Sequence, residues 1–222
     1  MNKSKILKML EYCGMSYSDF HPCSEDAKLI VIDDKKTDVQ GFIKIKGDSA
    51  VIVFRGSDSC KDWDTNFKFW KAVVPYGNHR SKIKVHSGFL STYKVKNVRG
   101  KIHDIIKKYD IQNISVTGHS YGAALAILCA VDLEYNYPFK DYEVVVFGCP
   151  RVGNKAFKNS YNLRIFKTLR VETRNDFITK LPFKFLGYEH VGSVIKLKNF
   201  VLNPFSNKYH ALQEYYSSIW DV

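Results

Sequence analysis

The chain has 222 residues, 45% of them hydrophobic, enough to bury a full core as one unit, and no low-complexity linker or internal repeat divides it. Its 34 Lys and Arg against 22 Asp and Glu leave a net charge of +12, but the excess is mostly lysine spread along the chain and no recognised nucleic-acid motif accompanies it, so no nucleic-acid partner is expected. The five cysteines (Cys13, Cys23, Cys60, Cys129, Cys149) form no Cys-x-x-Cys pair, which argues against a zinc site or a disulfide framework.

The amino-terminal stretch MNKSKILKMLEYCGMSY has an apolar run broken at Lys8, so it reads as no secretory leader, and nothing later approaches a membrane span. A single domain over 1–222 and a cytoplasmic or leaderless protein, releasable by lysis, are the expectations. Residues Lys3 to Tyr17 place Ile6, Leu7, Leu10 and Tyr12 at helical spacing. Three strand-like runs follow, Lys28 to Ile32, Gly41 to Ile45 and Ala50 to Phe54, separated by turn signals. The third leads into Arg55-Gly56-Ser57-Asp58-Ser59, a loop able to present a backbone N–H to a ligand.

From Lys61 to Val74 the spacing predicts a helix, with Trp63, Phe67, Trp70 and Val74 on one face and lysines on the others. Two readings stay open for this aromatic stripe: an ordinary core face, or a flap over about 58–75 that meets a lipid surface. Phe89 to Tyr109 reads as one long helix. The apolar run at Ile114 and Val116 ends in Gly118-His119-Ser120-Tyr121-Gly122, and Ala123 to Leu133 reads as a helix. Strand, sharp turn and helix around Gly-x-Ser-x-Gly make a nucleophile elbow, in which a strained turn presents the serine hydroxyl at the end of a sheet. A strand at Glu143 to Phe147, a helix near Asn154 to Tyr161 and a strand from Arg164 to Glu172 follow. Alternation of strands and helices, with unbroken runs such as VVVF, predicts an α/β fold with a mainly parallel sheet covered on both faces.

A serine hydroxyl needs a histidine to take its proton and a carboxylate to fix the histidine tautomer. In hydrolases of this architecture the chain order is serine, acid, histidine, and the site lies beyond the carboxyl ends of the strands. Asp176, just past the strand ending near Glu172, is on that edge; Asp132, Glu134 and Asp141 fall at the opposite one. Of the later histidines, His190 precedes the strand Val191 to Leu197 and His210 follows it, so a parallel strand puts only His210 at the site. His119, inside the elbow, is expected to point away from the pocket.

The segments VIVFRGSDS, KVHSGFLSTY, ISVTGHSYGAA, VVVFGCPRVGN, NDFITKLPF, YEHVG and YHALQEYY occur in an order that resembles the class 3, or fungal-type, lipases of the α/β hydrolases, from about Val51 onward. The resemblance implies Ser120 as nucleophile, Asp176 as acid, His210 as base and His190 as noncatalytic. It further implies oxyanion donors at Ser57 and Tyr121 and a lid tryptophan at Trp63, while the flap reading of the aromatic stripe makes Phe67 and Trp70 lipid contacts beside it. Neither metal nor cofactor is implied. Tyr121 stands where the family usually has leucine, Ala123 where it usually has glycine, and the segment after Ser57 is more charged than in secreted triglyceride lipases. The expected substrate is a lipid ester, glycerolipids first. Phospholipid cleavage, small-ester hydrolysis and a noncatalytic binding role are the alternatives, and the lysines make peripheral contact with an anionic membrane a further expectation. Oligomeric state is open.

Overall fold

In the computed structural model, residues 2–18, 26–56, 70–74, 78, 80–198 and 210–220 are described. Helix α1 (Lys3–Met15) is followed by strands β1 (Lys28–Asp34), β2 (Val39–Lys46), β3 (Ser49–Phe54), β4 (Lys71–Val73) and β5 (Lys84–His86), then α2 (Ser87–Tyr93), a π-helical turn Lys96–Gly100 and α3 (Lys101–Lys108). The second half runs β6 (Asn113–His119), α4 (Tyr121–Asn136), β7 (Asp141–Phe147), α5 (Lys155–Arg164), β8 (Thr168–Thr173), β9 (Ser193–Leu197) and α6 (Leu212–Trp220). Seven strands form one sheet in the order β1-β2-β3-β6-β7-β8-β9. The first two pairings are antiparallel, and all those from β3 to β9 are parallel.

Two apolar clusters cover the two faces. Ile52, Val116, Val144 and Val146 point into the larger one with α2, α3, α4 and α5, while Phe42, Val53, Val145 and Val171 pack against α1 and α6. Helix α4 buries residues all round its axis, from Gly122 to Leu133, as befits a helix without an amphipathic stripe. The carboxyl ends of the central strands are level: Phe54 pairs with Gly118, His119 with Phe147, and Phe147 with Val171. Arg55-Gly56, Ser120, Gly148 and the loop after Thr173 therefore emerge side by side. No helix among the described residues is long and apolar enough to cross a membrane.

Three sequence expectations are corrected. The helix expected over Lys61 to Val74 does not reach its end: Lys71–Val73 is a strand paired antiparallel with Lys84–His86, and residues 61–69 lie outside the described residues. The long helix Phe89 to Tyr109 is two helices joined through the π turn. The strand expected from Arg164 begins only at Thr168, because Arg164 still belongs to α5 and pairs with Glu134 at 2.9 Å.

Candidate active site

Ser120 occupies the turn between β6 and α4 with φ 58° and ψ −124°, a left-handed conformation that costs a non-glycine residue about 1–3 kcal/mol. Its N–H donates to Phe147 O at 3.0 Å and its carbonyl accepts from Ala123 N at 3.0 Å, so both neighbours hold the strained residue. The glycines around it are required by contact. A Cβ on Gly118 would stand 2.4 Å from Gly122 O, and one on Gly122 would stand 2.4 Å from Phe54 O. Strand and helix cross at a separation that no larger residue permits.

The loop after β3 approaches the same point. A Cβ on Gly56 would lie 3.2 Å from Ser120 Cβ and 2.8 Å from His119 O. Ser57, the expected upstream oxyanion donor, lies outside the described residues, as do Trp63 and Phe67. Tyr121 is the first residue of α4, so its amide belongs to the N-terminal turn of that helix. Its ring packs edge-on against Phe89 at 5.3 Å, and its hydroxyl lies 2.6 Å from Thr92 Oγ1. Since Thr92 donates to the Gly88 and Phe89 carbonyls, the phenol is the donor in that pair. Trp70 is described and is 70% exposed.

Asp176 is fully buried in the loop after β8, and its carboxylate accepts three hydrogen bonds from the described residues. Ile178 N–H donates to Oδ1 at 2.9 Å, while His210 Nδ1–H at 2.8 Å and the Tyr215 hydroxyl at 2.6 Å share Oδ2. Burial and the neighbouring carboxylate push the Tyr215 phenol well above its ordinary 10, which keeps it an O–H donor. With Nδ1 given to Asp176, the His210 lone pair is on Nε2, which is buried and has no hydrogen-bond partner among the described residues. Gly148, at φ +56°, leaves the space this pair occupies, because a Cβ there would stand 2.8 Å from His210 Cε1 and 3.0 Å from Asp176 Oδ2.

His119, expected to point away from the pocket, lies against the candidate base. Its ring lies 4.6 Å from that of His210, its Nε2–H donates to the His210 carbonyl at 2.7 Å, and its Nδ1 accepts from Tyr17 OH at 3.0 Å. Burial, with a smaller effect from His210, depresses its pKa to about 3. The ring is therefore neutral in the folded protein, whereas in the unfolded chain it takes a proton near 6.5. The stabilisation is complete above pH 6.5 and is lost progressively as the pH falls from there toward 3. At pH 5 the expected loss from this ring is about 2 kcal/mol. Urea midpoints at pH 7 and pH 5 check it: the midpoint of His119→Gln should fall less than that of the wild type, and equal falls would refute the assignment.

The second histidine and acid near the site are otherwise engaged. Glu172 stays in β8 and pairs with Arg170, and His190 Nε2–H donates to Thr179 O at 2.8 Å. Burial pushes the Cys149 thiol up to about 12, so it is no competing thiolate. Tyr215, Gly148 and His119 are the site residues that the sequence reading missed. Only Gly148 had a usable signal, a glycine directly after a buried strand at the correct edge.

Residues 51–186 match the family described as lipase (class 3). A lipase of Rhizomucor miehei is 36% identical over 188 residues, covering 81% of this chain and 51% of that protein. A chloroplastic phospholipase A1 of Arabidopsis thaliana is 34% identical over 148 residues, 60% of this chain and 33% of that protein. The chain thus spans about half or less of the length of these relatives. In three dimensions, the structure of a triacylglycerol lipase described as having a serine protease triad at its catalytic centre aligns with a TM-score of 0.74 at 27% identity, over 89% of this chain and 82% of that one. The chain belongs to the class 3 lipase family.

Proposed function

We propose that this protein hydrolyses carboxylic esters of lipids by acyl transfer to Ser120. The observation that carries the reading is the His210–Asp176 pair, whose Nε2 is buried and has no hydrogen-bond partner among the described residues at the edge where the elbow emerges. In the proposed cycle, Ser120 Oγ attacks the ester carbonyl carbon while His210 Nε2 takes the hydroxyl proton. The resulting oxyanion is met by the amide of Tyr121 and, in the family pattern, that of Ser57. Collapse breaks the C–O bond, and His210 returns the proton to the departing alcohol. Water then attacks the acyl-enzyme, passing its proton through the same nitrogen and freeing the acid and Ser120. Asp176 and Tyr215 hold the imidazole in the tautomer with Nε2 open. Each oxyanion donor is worth about 3 kcal/mol of barrier.

Glycerolipid esters are the first substrate class, in keeping with the lipase relative. A phospholipase A-type activity is the second reading, favoured by the net charge of +12 and the phospholipase A1 relative. Release of fatty acid from esters of increasing acyl length, from monoglycerides and from phosphatidylglycerol decides between them. Hydrolysis of long-chain glycerolipid is expected to exceed that of a short soluble ester. Preference for the soluble ester would favour a plain esterase, and turnover of none of the esters would reject the reading.

A further inference from the structure

The loop that supplies Asp176 carries side chains of two kinds. Ile178 and Leu181 pack against the larger core and Thr179 is buried. The others face outward: Phe177 is 52% exposed, Phe185 is 83% exposed, Lys180 and Lys184 are exposed and Phe183 is half-buried. The three rings form one run. Phe177 meets Phe183 edge-on at 6.2 Å, and Phe183 stacks on Phe185 at 5.3 Å with 11° between planes.

The run is anchored on both sides. Arg151 donates through its backbone N–H to Leu181 O at 2.6 Å and through Nη1 to Pro182 O at 3.0 Å, and His190 holds the Thr179 carbonyl. From β4, Lys71 Nζ donates to Leu186 O, while Tyr188 OH donates to Trp70 O at 3.3 Å. Exposed Trp70 therefore stands beside the loop, and the rim of rings borders the edge from which the nucleophile emerges. Glu189 is the only acid between residues 177 and 189. Lys184 reaches it at 3.6 Å, and Lys180 has no ion-pair partner among the described residues.

We infer that the rim of Phe177, Phe183 and Phe185, with Lys180 and Lys184, is a docking surface for an anionic lipid bilayer. The proposal rests on the lipid-ester reading above and gives its substrate a route to the site. Rings held at a surface in this way suit the boundary between acyl chains and headgroups, and adjacent lysines suit anionic phosphates. Charge separates this rim from the exposed apolar residues Phe139, Leu163 and Phe166 at the opposite edge of the sheet. There Arg164 pairs with Glu134 at 2.9 Å and Lys167 with Asp141 at 2.6 Å, whereas on the rim Lys184 shares Glu189 and Lys180 has no ion-pair partner among the described residues.

The test is co-sedimentation of the full chain with vesicles of phosphatidylcholine alone and of phosphatidylcholine mixed with phosphatidylglycerol. Tighter binding to the anionic vesicles, weakened by salt, is expected of the wild type. The double variant Phe183→Ser, Phe185→Ser should lose roughly 10-fold or more of that affinity while retaining hydrolysis of a short soluble ester. Lys180→Glu with Lys184→Glu should remove the preference for anionic vesicles, and Phe139→Ser should change nothing. Undiminished binding by the phenylalanine variant, equal loss in Phe139→Ser, or a wild-type dimer that the phenylalanine variant dissolves would each overturn the proposal. Vesicle binding that follows this pattern without turnover of any ester would keep the docking surface and reject the catalytic reading instead.

Discussion

Replacing Ser120 by alanine is expected to lower kcat for every ester that the protein cleaves by about 10⁶-fold, because nucleophile and base act as a unit and loss of either forfeits the whole acyl-transfer route. The substitution is well suited to the test. The backbone at Ser120 is held by Phe147 O and Ala123 N rather than by its side chain, and alanine meets the left-handed φ of 58° with the same penalty as serine. The urea midpoint should therefore stay within about 0.5 kcal/mol of the wild type. A residual rate from the oxyanion donors and binding alone is expected, about 10³-fold or more above water. Hydrolysis within tenfold of the wild type would place the nucleophile elsewhere and reject the proposed cycle.

The edge at which the candidate residues gather was legible in the sequence because it depends on chain direction, and chain direction follows from the alternation of strands and helices. Ser120, Asp176 and His210 could be selected without knowledge of any contact. What escaped was set by contacts across the chain. Trp63, Phe67, Trp70 and Val74 have good helical spacing, yet Lys71 to Val73 instead pairs with Lys84 to His86, a partner invisible to a local window. In Phe89 to Tyr109 the break did leave a mark: Tyr93 and Val98 are five apart, and both are buried. A regular helix would rotate one of them off the core; here α2 ends at Tyr93 and Val95 is extended before the π turn begins at Lys96, so both side chains reach the core. Tyr215 gave no signal, because an aromatic residue five positions after His210 reads as core until the carboxylate beside it is seen.

Asp176→Asn is expected to lower kcat by about 10⁴-fold with the fold intact, through the tautomer of His210. Ile178 N–H points at Oδ1 and cannot be turned away, so the amide oxygen of the variant must take that position. The amide nitrogen then occupies the place of Oδ2, facing both His210 Nδ1 and Tyr215 OH. Its hydrogens make Nδ1 an acceptor and move the ring proton to Nε2, the nitrogen that must accept from Ser120. Tyr215→Phe removes one hydrogen bond from the carboxylate and leaves the tautomer unchanged, so a smaller loss of roughly 10–100-fold is expected, equivalent to about 1.5–3 kcal/mol for a bond to a charged group. Steady-state kinetics on a single soluble ester compare the two variants. A loss in Asp176→Asn no greater than that in Tyr215→Phe would mean that the carboxylate serves only to hold the loop, and the proton path through His210 would need another orienting group.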